Sequence, residues 1–296
     1  SYIANIRMPT EKAHGIQIMK MAEAFSGASA KVELVAPWRF NHIHAEPFSY
    51  YNVQQTFNIV KVPAIDLVQL GKIGFWIESL TFTLSALLRN LFKKTDIIYS
   101  RDEFVLYFFS FFTKNFVWET HRGEQNFMAR RVARHARKVI TITEGGKKHL
   151  IKLGIPEDKI LVAHDGVDMK EFLVTEEQKD ARIKLNLPVE AKMAMYIGRL
   201  DDWKGYETFL AASGKLKELG IMSVLIGGEP KQISKLEQKY PDAKFLGYLP
   251  YRDLPVNQKA ADVLVIPNSA KQKISTDFTS PMKLFAHMTS GAPIVQ

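Results

Sequence analysis

The sequence predicts an α/β protein built from two Rossmann-like domains facing across a cleft, and three observations carry that prediction. Short apolar runs of strand-type composition alternate with helix-period segments along almost the whole chain, the pattern of parallel sheets covered on both faces. The alternation pauses once, in a charged stretch around 168–188, and then restarts. The length of 296 residues is about that of two domains.

In the first half the strand-like runs are Tyr2–Ile6, Val32–Ala36, Asn58–Val62, Asp96–Tyr99, Phe116–Glu119, Val139–Thr143 and Ile160–Ala163. Between them, helical periodicity covers Ile16–Phe25, Ile73–Phe92, Glu103–Phe112, Gln125–Arg137 and Gly145–Leu153. Trp38–Gln55 has aromatics and histidines but no period, and is read as a long loop. Glu171–Leu187 is charged, weakly amphipathic and ends at Pro188, so it reads as a linker with a leading helix. The expected division is therefore a first domain over 1–170, a linker and leading helix over 171–190, and a second domain over 191–296. Its strands are Met193–Gly198, Met222–Ile226, Lys244–Leu246, Val263–Pro267 and Pro293–Val295. Its helices are Tyr206–Leu219, Lys231–Tyr240, Arg252–Ala260 and Met282–Thr289. In open parallel sheets ligands bind beyond the carboxyl ends of strands, which directs attention to the loops at 7–14, 121–124, 198–205, 227–230, 247–251 and 267–281.

Composition narrows the class. The chain is 46% hydrophobic and 24% charged, has no cysteine, and carries a net charge of +9. That excludes disulfide scaffolds and thiolate metal sites and suits a reducing, cytoplasmic compartment. No signal peptide is read at the start. The charge is uneven: residues 1–170 hold 23 Lys/Arg against 16 Asp/Glu. Either this is a solvated basic surface, or the first domain meets an acidic partner such as anionic lipid. Arg130, Arg131, Arg134, Arg137 and Lys138 form a basic run, but no motif reads bases, so nucleic acid is not expected. Ile73–Phe92 contains Glu78 and Arg89, too polar for a membrane span. Ile73, Ile77, Leu80, Leu84, Leu87 and Leu91 share one helical face, and the favoured reading packs that face on the sheet rather than on a membrane surface.

The sharpest local signal is GRLDDWKG, Gly198–Gly205. A glycine ends a strand, Arg199 and Lys204 flank the turn, and a helix begins near Gly205. Two cations beside helix-start amides form a site for a polyanion such as a diphosphate; alone, the pattern fits two surface cations equally well. Other landmarks stand in order with it: AHGIQIMKMAEAF (Ala13–Phe25), ILVAHDGVDMKEF (Ile160–Phe172), LIGGEP (Leu225–Pro230), FLGYLPYRDLP (Phe245–Pro255), ADVLVIPNS (Ala261–Ser269) and SPMKLFAHMTSGAPIV (Ser280–Val295). Together these resemble the retaining GT-B glycosyltransferases of family four, the group-one glycosyltransferases, over essentially the whole chain.

The resemblance implies a transferase moving a sugar from a UDP- or GDP-type nucleotide sugar to an acceptor hydroxyl. It implies retention, no cofactor beyond that donor substrate, and a glycan or lipid-linked acceptor in cell-surface polysaccharide or glycolipid synthesis. Location would be cytoplasmic or peripheral on the inner membrane face, with the first domain meeting an anionic surface. Arg199 and Lys204 match the cations that stabilise the leaving diphosphate, and His121 matches an active-site histidine; these three are the catalytic candidates. Gly15, Gly198, Gly228, Glu229, Tyr248, Tyr251, Ser280, Pro281, Met282, Lys283 and Leu284 match donor-binding positions. Each has a plainer reading: His121 as a satisfied loop histidine, Gly15 as a helix-start glycine, Lys283 as a solvated lysine. No metal is expected, because no Asp/Glu/His group has ligand spacing.

Two departures qualify the resemblance. The family's paired glutamates would fall at Phe278 (beside Asp277) and Ala286, so neither carboxylate is in register. The sequence also ends at Gln296, just after the strand that follows this helix, and the second domain is expected to be incomplete. Two other readings accompany the transferase: a non-catalytic nucleotide-sugar binding protein, and a sugar-nucleotide epimerase of the same fold.

Overall fold

A computed structural model describes residues 1–121, 126–280 and 282–296. It divides into two compact units: Ser1–Thr141 with Gly146–Val162, and Ile142–Gly145 with Ala163–Gln296.

The N-terminal unit is built on a parallel sheet of β1 (Tyr2–Ile3), β2 (Glu33–Pro37), β3 (Asn58–Val62), β4 (Ile98–Ser100), β5 (Phe116–Thr120), β6 (Lys138–Thr141) and β7 (Ile160–Val162). The order is β3-β2-β1-β4-β5-β6-β7, so the winding direction reverses between β1 and β4. Its helices are α1 (Ala13–Gly27), α2 (Pro47–Tyr51), α3 (Lys72–Phe92), α4 (Glu103–Phe109), α5 (Phe127–His135) and α6 (Glu144–Lys152). Ile18, Met19 and Ala22 of α1 pack with Phe48 and Tyr51 of α2 in one core. Phe82, Val105, Leu106, Phe109, Ala129, Val132 and Leu150, from α3 to α6, fill the other. A strand that sends successive side chains to opposite faces feeds both cores: Tyr2 and Leu34 go to one, Ile3 and Val35 to the other.

The C-terminal unit opens with α7 (Met169–Phe172) and α8 (Gln178–Lys184), then alternates β8 (Lys192–Ile197), α9 (Tyr206–Ala211), α10 (Ser213–Glu218), β9 (Ile221–Ile226), α11 (Pro230–Lys239), β10 (Ala243–Gly247), α12 (Leu254–Lys259), β11 (Val263–Val265), α13 (Lys273–Thr276), α14 (Met282–Met288) and β12 (Ile294–Val295). The sheet order is β10-β9-β8-β11-β12, all parallel. Here the reversal falls between β8 and β11, the place where open sheets of this type leave a crevice for ligands.

Four local readings are corrected. The stretch 38–55 is not all loop: Pro47 opens α2, the Glu46 carboxylate accepts from the Ser49 amide at 2.9 Å, and Asn52 closes it at φ 51°. Proline at a helix start and a left-handed residue after its end are ordinary stop-and-start chemistry. The single helix expected over 206–219 is two, broken at Ala212. The buried Ser213 hydroxyl donates to the Leu210 carbonyl at 2.7 Å, a local bond that competes with the helical ladder. The loop at 267–281 holds the short helix α13.

The fourth correction concerns α3. Its apolar stripe does not face the sheet. The buried residues are Gly74, Glu78, Ser79, Phe82, Thr83 and Ala86, whereas Ile73, Ile77, Leu80, Leu84 and Leu91 are exposed. Close approach selects the small face. An added Cβ on Gly74 would lie 1.7 Å from the Leu67 carbonyl oxygen. Glu78 is kept inside by Asn5 Nδ2, which donates to its Oε2 at 3.1 Å, and burial pushes its carboxyl pKa up.

Candidate functional site

In the C-terminal unit the site grows from the end of β8. Ile197 ends the strand and Gly198 follows at φ 152°, a conformation that L side chains rarely adopt. A Cβ there would lie 2.8 Å from both Cε and Nζ of Lys283. Gly205, at φ 65°, closes the turn against the next loop, where a Cβ would meet the Pro267 carbonyl oxygen at 1.6 Å. The Ser269 amide donates to the Trp203 carbonyl at 2.9 Å. Glycines at both ends thus let the 198–205 loop lie flush on the segment after β11, with Lys283 of α14 beneath it.

Three cations occupy this neighbourhood in different states. The Arg199 side chain is 80% exposed and reaches Asp201 Oδ1 at 3.3 Å. Lys204 is largely buried and bonds Asp201 Oδ2 at 3.1 Å; burial draws its pKa down while Asp201 pushes back. The Lys283 amine is shut away from solvent with no hydrogen-bond partner among the described residues, and sits 4.1 Å over the Tyr196 ring. Burial first, and then the charge of Lys204, lower its pKa from 10.5 to about 7. The solvated reading of Lys283 is therefore overturned. One helical turn on, burial holds the His287 imidazole at about 4, with Lys283 contributing.

An amine buried without a partner is costly, and a group so perturbed near the switch point of an open sheet is a candidate for a functional site. Here it lies beside a second amine and a glycine that has no Cβ, so an anion that reached it would find two amine donors. The helix-start argument contributes less than the motif implied: α9 and α14 have only 6 and 7 residues, too short for a substantial dipole.

The other donor candidates divide. Gly228 is at φ 93°, and a Cβ would press 2.5 Å from Leu200 Cδ1, so it lets β9 end against the 198–205 loop. Glu229 is the first cap of α11, its amide donating to Gln232 Oε1 at 3.1 Å. Tyr248 is exposed on its loop. Ser280 is buried and its hydroxyl accepts from the Asp165 amide at 3.0 Å, a structural tie. Met282 and Leu284 flank Lys283 in the first turn of α14. Pro281 and the Tyr251 side chain lie outside the described residues. Ala286 is 2% exposed, a packed helix residue.

In the N-terminal unit, His121 follows β5 and both its ring nitrogens are engaged. Nδ1 faces Arg101 Nη2 at 2.6 Å, and Nε2 bonds Glu119 Oε1. Because a guanidinium only donates, Nδ1 accepts and Nε2 carries the proton that Glu119 receives. Glu119 is buried, is also bonded by the Tyr99 hydroxyl, and pairs with Arg101 Nε at 3.4 Å. Arg101 Nη1 donates to Gln17 Oε1 at 2.9 Å. This cluster spans the ends of β4 and β5 and the first turns of α1. Sequence reasoning found His121 but missed Glu119 and Arg101; the available signal was a glutamate inside the apolar run FVWET. Gly15 sits in the first turn of α1, where a Cβ would be 2.3 Å from the Tyr51 hydroxyl oxygen. That hydroxyl accepts from the Thr10 amide at 2.6 Å and donates to the Thr10 carbonyl at 2.7 Å, so the glycine has a packing reason of its own.

With this geometry in view, comparison with known proteins is consistent. Residues 15–171 match the family described as Glycosyltransferase Family 4, and residues 177–294 match Glycosyl transferases group 1. An uncharacterized glycosyltransferase of Methanocaldococcus jannaschii is 30% identical over 141 residues, 44% of this chain and 36% of the relative. A D-inositol 3-phosphate glycosyltransferase of Mycobacterium tuberculosis is 27% identical over 157 residues, 49% of this chain and 31% of the relative. The matches thus span about a third of those curated relatives. Among solved structures, sucrose-phosphate synthase from Thermosynechococcus elongatus superposes with TM-score 0.76 at 17% identity, covering 99% of this chain and 79% of that one. Anabaena HepE in complex with UDP-glucose gives 0.69 at 15% identity, covering 99% and 78%. At these identities the structural likeness establishes the fold.

Proposed function

Because the chain belongs to glycosyltransferase family 4, we propose that it moves a sugar from a nucleotide-diphosphate sugar to an acceptor hydroxyl, its C-terminal unit holding the diphosphate. The observation that carries this reading is the Lys283 amine, buried without a partner beside Lys204 and against Gly198. A diphosphate supplies the acceptor that the Lys283 amine lacks and a second one for Lys204, which now bonds Asp201.

The chemistry follows from charge. As the glycosidic bond to the diphosphate breaks, negative charge develops on the leaving oxygen, and preorganised cations are worth most where water is excluded. Lys204 and Lys283 meet that condition; Arg199, nearly free in solvent, closes on the anion from outside. The family resemblance makes the reading transfer with retention, the acceptor hydroxyl attacking on the face the diphosphate leaves and giving its proton to the departing oxygen, a step that requires no hydrolase-type carboxylate pair. His121, locked between Glu119 and Arg101, serves to orient sugar or acceptor through its fixed edge rather than to shuttle a proton. The transferred group is of hexosyl or N-acetylhexosaminyl type, and the acceptor is a glycan or lipid-linked molecule in surface polysaccharide or glycolipid synthesis. It would be met on the cytoplasmic side of an anionic membrane through the N-terminal unit.

The test supplies UDP-, GDP- and ADP-sugars in turn, with and without lipid and glycan acceptors extracted from membranes, and follows free nucleoside diphosphate. Acceptor-dependent release supports transfer. Binding without turnover supports the non-catalytic reading, and interconversion of the sugar without release supports an epimerase.

A further inference from the structure

The outer face of α3 is built as a contact surface. Ile73, Ile77, Leu80, Leu84, Leu88 and Leu91 form one row along it, 36–75% exposed, while the opposite side of the helix packs on the sheet. The row runs 18 residues, about 27 Å at 1.5 Å per residue. Soluble monomers seldom leave so long a contiguous apolar strip in water. It is not a failure of burial, because the inner face is fully used and tight at Gly74. Among the described residues, no helix is long and apolar enough to cross a membrane.

The neighbouring helices continue this surface. α3 packs beside α4, and α4 beside α5, in one layer over one sheet face. Past the end of α4, Phe111 and Phe112 are exposed, and Phe127 is exposed at the start of α5. The Arg131 guanidinium lies 3.8 Å over the Phe111 ring. Arg130 and Arg134 of α5 are exposed. Among the described residues of α3, α4 and α5, the acidic groups are Glu78, which is buried, and Glu103, which is half-buried and bonded by Asn126 at 2.6 Å. An aliphatic row, exposed aromatics and exposed cations, with no exposed acid among the described residues of these three helices, match a surface that is negative outside and apolar within. A second copy of this chain would set those cations against their own equivalents. Long arginine side chains can also bend their charge toward headgroups while their stems lie on apolar atoms.

We propose that α3 lies flat in the interface of an anionic lipid membrane, its aliphatic row inserted among the acyl chains and the cations of α5 on the headgroups. This deepens the membrane part of the functional reading, and names the inserted element, which the basic run alone does not.

The test is co-sedimentation of the full chain with vesicles of phosphatidylcholine alone, or of phosphatidylcholine and phosphatidylglycerol in equal parts. Donor binding and circular dichroism are measured on the same samples. Wild type is expected on the mixed vesicles and not on the neutral ones. Leu80→Glu with Leu84→Glu, both at exposed positions, is expected to lower that partition at least tenfold with fold and donor binding unchanged. Trp76, half-exposed beside the row, is expected to shift its emission to the blue on binding, and Trp76→Phe to lose that change. Three results would overturn the proposal: no binding to either vesicle; binding that the Leu80/Leu84 variant retains and salt alone removes; or a dimer in sedimentation that the same variant dissolves while vesicles stay free. Loss of donor binding in wild type would instead count against the transferase reading, independently of the vesicle result.

Discussion

Replacing Lys283 by methionine keeps its length and removes its charge. The fall of its pKa from 10.5 to about 7 corresponds to about 5 kcal/mol held against the ammonium form, at 1.36 kcal/mol per pH unit. The folded pKa lies below the unfolded one, so between pH 7 and 10.5 the unfolded chain binds more protons. Stability therefore rises with pH across that window, and the cost is fully present below pH 7. Lys283→Met should be more stable than wild type at pH 6.5, and the difference should shrink toward pH 10. Donor binding runs the other way. A diphosphate favours the ammonium form, so above pH 7 the wild type must take up a proton to bind, and its affinity should fall by up to tenfold per pH unit. The ionisable groups around it are Lys204, Asp201 and His287; His287, held at about 4 by burial, stays neutral across this range. A nucleotide sugar that the donor screen shows to bind is the right probe, because its diphosphate is esterified at both ends, whereas a terminal phosphate ionises at about pH 6. Calorimetry at pH 6.5, 7.5 and 8.5, in two buffers of different ionisation enthalpy, counts the protons. The methionine variant should bind at least tenfold more weakly at pH 6.5, with a flat pH profile. Equal affinities at pH 6.5, or the same slope in both proteins, would refute the assignment.

Other outcomes follow from the same geometry. Lys204→Ala, removing a largely buried cation, should weaken diphosphate binding at least tenfold, at roughly 1.5–3 kcal/mol per charge-assisted contact. Arg199→Ala, in solvent until an anion arrives, should do less; calorimetry with the diphosphate and the bare nucleoside separates both from base recognition. Gly15→Ala should cost about 1–3 kcal/mol of stability by overpacking, and in a double-mutant cycle Tyr51→Phe should recover part of that cost, since the clashing atom is its hydroxyl; additive losses in urea melts would contradict this. Ala286→Glu would bury a carboxylate at a 2% exposed position, so it should lower Tm rather than tighten donor binding.

The strands were legible along the chain because buried parallel strands are apolar runs whatever surrounds them. Asn58–Val62 falls where its pattern put it, and Glu103 opens its helix as expected. The 198–205 loop was legible because a glycine, two cations and a second glycine each have a local reason to be there. What was not legible depends on neighbours distant in sequence. Periodicity finds a stripe on α3 but cannot tell which side meets the sheet; the deciding contacts are Gly74 against Leu67 and Asn5 on Glu78. Lys283 looks like any helix lysine until Tyr196 and Gly198 are placed beside it. The clamp on His121 joins residues from positions 17, 99, 101 and 119, and only Glu119 left a trace, as a charge in an apolar strand.

The central claim is that the C-terminal unit binds a nucleotide through its diphosphate. The most direct measurement is calorimetric titration of the full chain at pH 6.5 with UDP, GDP, ADP and CDP and with their nucleosides, repeated on Lys204→Ala with Lys283→Met. At least one diphosphate should bind ten or more times more tightly than its nucleoside, and the double variant should erase that preference. A protein that binds no diphosphate, or a preference that survives the loss of both lysines, would contradict the account.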